Sequence, residues 1–88
     1  MSENQLYVWK LACFLAEHKR KMTGEELADH LNRNSLKTTY GTKYSGKRGI
    51  YTLIRQTWKF LNNNLELPEE AAKVAESFVK PDGNYAYE

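Results

Sequence analysis

The run Met22-Thr23-Gly24-Glu25-Glu26-Leu27 restricts the fold more than any other stretch of the chain. Thr23 and Glu26 have the spacing of a capping box, in which each side chain satisfies a free backbone N–H of a helix's first turn. Met22 before the cap and Leu27 after it match a hydrophobic staple, which sets the angle at which the chain approaches the helix. Leu27, Ala28 and Leu31 then form its buried face, and Asn32 and Asn34 suit its end, because Asn tolerates left-handed backbone angles.

The helix fixed in this way divides the chain. Upstream, Ser2 and Gln5 form a second capping box and open a helix expected over about Glu3–Lys19. Its apolar stripe is Leu6, Trp9, Cys13 and Ala16, with Val8, Leu11 and Leu15 beside it, and it closes on the cations His18 to Lys21. Downstream, the polar segment Arg33–Ser45 alternates Thr38, Tyr40, Thr42 and Tyr44 at strand period, which suits a small hairpin or wing. A third helix is expected from Ser45 as its cap to about Leu61, with Ile50, Leu53, Ile54, Thr57 or Trp58, and Leu61 facing the core. Asn62, Asn63 and Asn64 end it. Pro68 opens a fourth helix, with Glu69 and Glu70 where the dipole favours anions and Ala71, Val74, Ala75 and Phe78 on the buried face. Pro81-Asp82-Gly83-Asn84 is a turn, and Tyr85-Ala86-Tyr87 can add a short strand. The expectation is a mainly α domain of about four helices with a short β element.

With 88 residues the chain is one domain, with its core in 3–61 and a C-terminal helix and tail in 67–88. Its single cysteine, Cys13, forms no internal disulfide, and Cys13, His18 and His30 match no zinc spacing. Cys13 reads as a small core residue. No leader pattern stands at the N-terminus, and the longest apolar run, Leu11–Ala16, is far short of the roughly 20 residues that cross a bilayer. A cytoplasmic location with no membrane partner is expected. No nucleophile has a matched base and no Walker pattern surrounds Gly46 and Gly49, so neither an enzyme nor a cofactor is expected.

The net charge of +2 is a cancellation. Residues 1–17 sum to −1, residues 18–60 to +7 and residues 61–88 to −4. No acid stands between Asp29 and Glu66, an interval of 36 residues that holds Arg33, Lys37, Lys43, Lys47, Arg48, Arg55 and Lys59. On a third helix starting near Ser45, Arg48, Thr52, Arg55 and Lys59 share one face, opposite Ile50, Ile54 and Leu61, with Tyr51 at the edge and Gln56 nearby. Lys and Arg neutralise phosphates, while Arg, Gln and Thr meet base edges in a major groove. Ser45-Gly46-Lys47-Arg48-Gly49 would seat a phosphate at the helix N-terminus. The candidate DNA-binding residues are therefore Arg33, Lys37, Thr39, Lys43, Lys47, Arg48, Thr52, Arg55 and Lys59. A basic helix face is more often merely solvated, but an acid-free interval spanning both loop and helix weakens that reading.

The positions Leu27-Ala28, Leu31-Asn32, Leu36, Thr38, Gly41, Tyr44-Ser45, Ile50 and Leu53-Ile54 form a pattern. It resembles the helix-turn-helix segment in the DNA-binding region of large serine recombinases, over roughly residues 23–56. Ser35 stands where that family has Gly, Lys37 where Pro is common and Tyr44 where Trp is common. The resemblance implies two helices joined by a polar elbow, with the helix after Tyr44-Ser45 presented to DNA. It does not imply recombination, since the family's catalytic serine belongs to a separate domain. The fold expectation thus sharpens to a small helix-turn-helix or winged-helix-like domain with a recognition helix over Gly46–Leu61. The function expected is duplex-DNA binding, as a bacterial or phage transcriptional regulator or recombination accessory factor. Partners are double-stranded DNA and, for adequate specificity, a second copy or another protein. The alternative is a protein-interaction module of the same shape, using Tyr7, Tyr51, Tyr85 and Tyr87 or the acidic fourth helix.

Overall fold

The computed structural model describes residues 1–45 and 49–86. Ser2 Oγ accepts from the Gln5 N–H at 3.2 Å while the Gln5 side chain accepts from the Ser2 N–H at 3.0 Å. This capping box opens α1 (Glu3–Glu17). Thr23 Oγ1 accepts from the Glu26 N–H at 3.2 Å and opens α2 (Gly24–Arg33). The same Met22–Thr23 pair is also strand β1. α3 covers Ile50–Lys59 and widens into a π-helical turn over Phe60–Asn64. Pro68 starts α4 (Pro68–Ser77), which runs directly into β2 (Phe78–Val79). The described chain is therefore mainly α, with one small sheet in which β1 and β2 pair in parallel, Met22 opposite Phe78 and Thr23 opposite Val79.

α1, α3 and α4 pack on one another, and α2 lies against α3 and β1. The core expected within 3–61 thus also takes in α4 as a full member. Val8, Ala12, Leu27, Leu31, Ile50, Ile54, Leu61, Val74 and Phe78 are almost wholly removed from water. Burial of an aliphatic or aromatic side chain of this kind stabilises by about 1.5–3 kcal/mol. The faces read for α2, α3 and α4 are the ones buried, with Thr57 rather than Trp58 innermost on α3. Thr57 Oγ1 satisfies itself on the Leu53 carbonyl at 2.8 Å. On α1 the centre of the stripe differs: Val8, Ala12 and Leu15 are buried, Trp9 and Cys13 are half-buried, and Leu6 and Ala16 are exposed. Apolar residues occupy more than one side of this helix, so the pattern alone leaves its centre open. The position of α4 decides it.

Helix ends follow a rule the sequence conceals. After α1, Lys19 takes φ 52°, the Arg20 N–H reaches the Leu15 carbonyl at 2.8 Å and the Lys19 N–H reaches Ala16 at 3.2 Å. After α2, Ser35 takes φ 59°, the Leu36 N–H reaches Leu31 at 2.9 Å and the Ser35 N–H reaches Asn32 at 3.1 Å. Both are Schellman closures, normally built on glycine. Asn34, expected to hold the left-handed angle, stays at φ −94° and passes it to Ser35. Glu66 makes a third left-handed stop at φ 53°, beyond the π turn. Because Lys19 turns the chain, α1 stops two residues before its expected end.

The third helix begins later than expected. Gly49, not Ser45, is its N-cap, with φ 78°, an angle no helix accepts. The first helical bond runs from the Leu53 N–H to the Gly49 carbonyl at 2.9 Å. At the other end the Asn62–Asn64 run does not stop the helix but widens it, with the Leu65 N–H bonded to the Phe60 carbonyl at 3.1 Å. The β element also lies elsewhere. Residues 37–44 form no strand, whereas Met22 and Phe78, distant in sequence, do pair. The turn over 81–84 forms as read, with the Gly83 N–H on the Lys80 carbonyl at 2.9 Å. Tyr85 then makes an antiparallel bridge to Val79, and Tyr87 lies outside the described residues.

Candidate nucleic-acid interface

The loop between α2 and α3 is held by two asparagines. Asn32 uses both ends of its amide on the Tyr44 backbone: its Nδ2 donates to the Tyr44 carbonyl and its Oδ1 accepts from the Tyr44 N–H, each at 2.9 Å. It imitates one rung of a strand. Asn4 on α1 donates to the Lys37 carbonyl at 2.7 Å and to Tyr44 Oη at 2.6 Å. Tyr44 is 8% exposed and packs into the core beneath the loop. Burial pushes its phenol above the ordinary value, and the Asn4 bond offsets this only in part. Between these anchors the chain closes on itself. The Thr38 N–H bonds to the Thr42 carbonyl at 2.9 Å, the two threonine hydroxyls meet at 2.8 Å, and the Gly41 N–H bonds to the Thr38 carbonyl at 2.9 Å. Gly41, at φ 76°, permits the reversal.

On α3, Thr52, Arg55, Gln56 and Lys59 are exposed, opposite the buried Ile50, Leu53, Ile54 and Thr57. Tyr51 is not part of that outer face. It is half-buried against Gly24 at the start of α2, where an added Cβ would meet its ring and hydroxyl at 2.8–2.9 Å. Tyr51 is thus a strut between α2 and α3, and glycine is the residue that lets them approach.

Of the sequence-derived residues, Lys37, Thr39, Lys43 and Thr52 line one groove. Arg33 ends α2 next to the dipole's negative pole, and Lys37, Thr39 and Lys43 stand exposed on the loop. Lys47 and Arg48 lie outside the described residues, as does most of the expected phosphate seat over 45–49. The described part of the expected stripe, Thr52, Arg55 and Lys59, is exposed on α3. Among the described residues, Arg33, Lys37, Lys43, Arg55 and Lys59 have no carboxylate within 4.0 Å. The loop and α3 wall an open groove of about 990 Å³, floored by the first residues of α1 and reaching Thr52 and Gln56. Three contributors were not legible beforehand: Asn4, Asn32 and the exposed Tyr40. Only Asn32 had a signal, its place beside Leu31 in the recombinase-like pattern.

The acids of α4 behave differently. Glu70, expected at the dipole's positive end, accepts from Trp9 Nε1 at 3.0 Å and from Cys13 Sγ at 3.5 Å, and pairs with Lys73 at 2.7 Å. The Lys73 ammonium and the Trp9 N–H hold its carboxyl below the usual range, and Glu70 in turn raises Lys73. Burial, then the neighbouring carboxylate, pushes the Cys13 thiol up, which disfavours the thiolate a nucleophile needs.

No protein-family model, curated protein or solved structure matches this chain. Among the described residues no helix is long and apolar enough to cross a membrane, and no three His, Cys, Asp or Glu side chains are grouped to hold a metal ion.

Proposed function

We propose that this chain binds duplex DNA through α3 and the loop that precedes it, with α2 and α3 acting as a helix-turn-helix pair. One observation carries the reading: five cations on the loop, the end of α2 and the outer face of α3 have no carboxylate within 4.0 Å among the described residues. Clustered like charges repel, and they are tolerated where a polyanion supplies the missing partner. Thr52, Arg55 and Gln56 face the base edges of the major groove. Arg33, Lys37, Lys43 and Lys59 hold phosphates, with Thr39 beside them and Lys47 and Arg48 completing the set. The likeness of residues 23–56 to the large serine recombinase segment supports this assignment, and Ser35 supports it further. At φ 59° it takes the left-handed angle that family's glycine would supply. A small regulator or recombination accessory of bacterial or phage origin, acting in the cytoplasm and as a pair of copies on two half-sites, fits such a module.

The reading as a protein-interaction module is weaker. Tyr7 and Tyr51 pack on the core, and Glu70 is committed to α1. A mobility shift with mixed-sequence duplex at two salt concentrations tests the proposal. Binding at about 50 mM salt that falls steeply by about 200 mM is expected. Absence of binding at the lower salt overturns it.

A further inference from the structure

Tyr40 is 92% exposed, the most exposed large apolar side chain among those described. It does not sit on a loose loop. The Thr38–Thr42 bonds close the turn around it, and Asn4 and Asn32 tie the base of the turn to α1 and α2. Lys37 and Lys43 flank it, and both are exposed. An aromatic ring held at the tip of a braced, cationic turn is arranged to meet something outside the molecule.

The shape of the surface indicates what. The turn forms one wall of the groove, α3 forms the other, and Tyr40, Lys37, Lys43, Thr52 and Gln56 all border it. The complementary feature on a duplex is the sugar–phosphate ridge that separates the major groove from the minor groove. With α3 in the major groove, about 12 Å wide, the ridge seats between the two walls and the turn arrives at the minor groove, about 6 Å wide. A single ring on a tight turn suits that narrower space, where apolar side chains wedge against base steps. We infer that Tyr40 is a second reading element, which enters the minor groove beside the site held by α3 and favours flanks with deformable, guanine-poor steps. The inference rests on the duplex-binding reading. Glu3, on the α1 side of the same groove, opposes the phosphate, and the two lysines outweigh it.

The test compares the full chain with Tyr40→Ala and Tyr40→Phe on a duplex of about 30 base pairs, with guanine or inosine in the flanks. Inosine lacks the amino group that guanine places in the minor groove and leaves the major-groove edge unchanged. Tyr40→Ala is expected to weaken binding about fivefold to tenfold, and Tyr40→Phe by less than about twofold, since the ring carries the contact. Inosine flanks are expected to tighten binding of the native chain and of Tyr40→Phe but not of Tyr40→Ala. Equal affinity of Tyr40→Ala and the native chain overturns the inference, as does an inosine effect of the same size in both. If in that case Arg55→Ala/Lys59→Ala still loses binding, the duplex reading stands and only the minor-groove assignment fails. No binding of the native chain to any duplex removes both. Tyr40 and Gly41 face open space, so a loss of fold does not confound the variant; a thermal melt verifies this.

Discussion

Two sides of this small domain use charge in opposite ways. Between α1 and α4, Glu70 gathers an indole N–H, a thiol and an ammonium, so its charge is spent on holding helices together. Across the loop and α3, the cations face solvent with no carboxylate within reach among the described residues. The overall charge of +2 hides this division. Among the described residues no acid of the C-terminal segment pairs with the basic face, and Glu70 is turned toward α1. Paired charge here is architecture, and unpaired charge is the candidate function.

The contrast can be attacked from either side. The largest effect should come from the basic face: Arg55→Ala/Lys59→Ala should weaken duplex binding about tenfold to a hundredfold, read by anisotropy, while the thermal melt stays within about 1 kcal/mol of the native chain. Next is the brace beneath that face. Asn32→Ala strands the N–H and carbonyl of the buried Tyr44, and should cost about 2 kcal/mol in a urea melt and weaken binding with it. Gly24→Ala should cost about 1–2 kcal/mol, because the new methyl displaces the Tyr51 ring.

On the other side, Glu70→Gln should lower stability at neutral pH by less than about 1 kcal/mol and leave duplex binding unchanged. Its clearer signature is in the pH dependence. The folded state holds Glu70 below the ordinary carboxylate range, so the unfolded chain takes up the proton first. The stabilisation is complete above the unfolded value and is lost as pH falls through the lowered one. Acid melts of the native chain should therefore show a loss of stability that Glu70→Gln lacks. The smallest effect is a gain: Ser35→Gly should stabilise by about 0.5–1 kcal/mol by relieving a left-handed angle.

How far the sequence reached depends on how local the cause is. The starts of α1, α2 and α4 were legible because Ser2, Thr23 and Pro68 act within one turn. The buried face of α2 was legible too, since Leu27, Ala28 and Leu31 lie on a helix with polar residues elsewhere. The start of α3 was misplaced because Gly49 overrides the capping signal of Ser45 through its backbone angle alone. The small sheet was missed because the pairing of Met22 with Phe78 depends on where α4 delivers the chain. In the candidate site, the cations and Thr52 were visible from charge and helical spacing. The asparagine brace was not, since Asn4 and Tyr44 meet only after α1 packs. Nor did the alternation of Thr38, Tyr40, Thr42 and Tyr44 tell that Tyr44 would be buried and Tyr40 exposed.

The central claim is that the unpaired cations of α3 and its loop exist to meet phosphates. Its most direct test is the salt dependence of duplex binding, native chain against Arg55→Ala/Lys59→Ala. Each phosphate contact contributes a slope of about 0.9 in log affinity against log salt, so losing the Lys59 contact, with Arg55 on base edges, should flatten the line by about 0.9. An unchanged slope in the double variant, or no duplex binding at about 50 mM salt, would contradict the account.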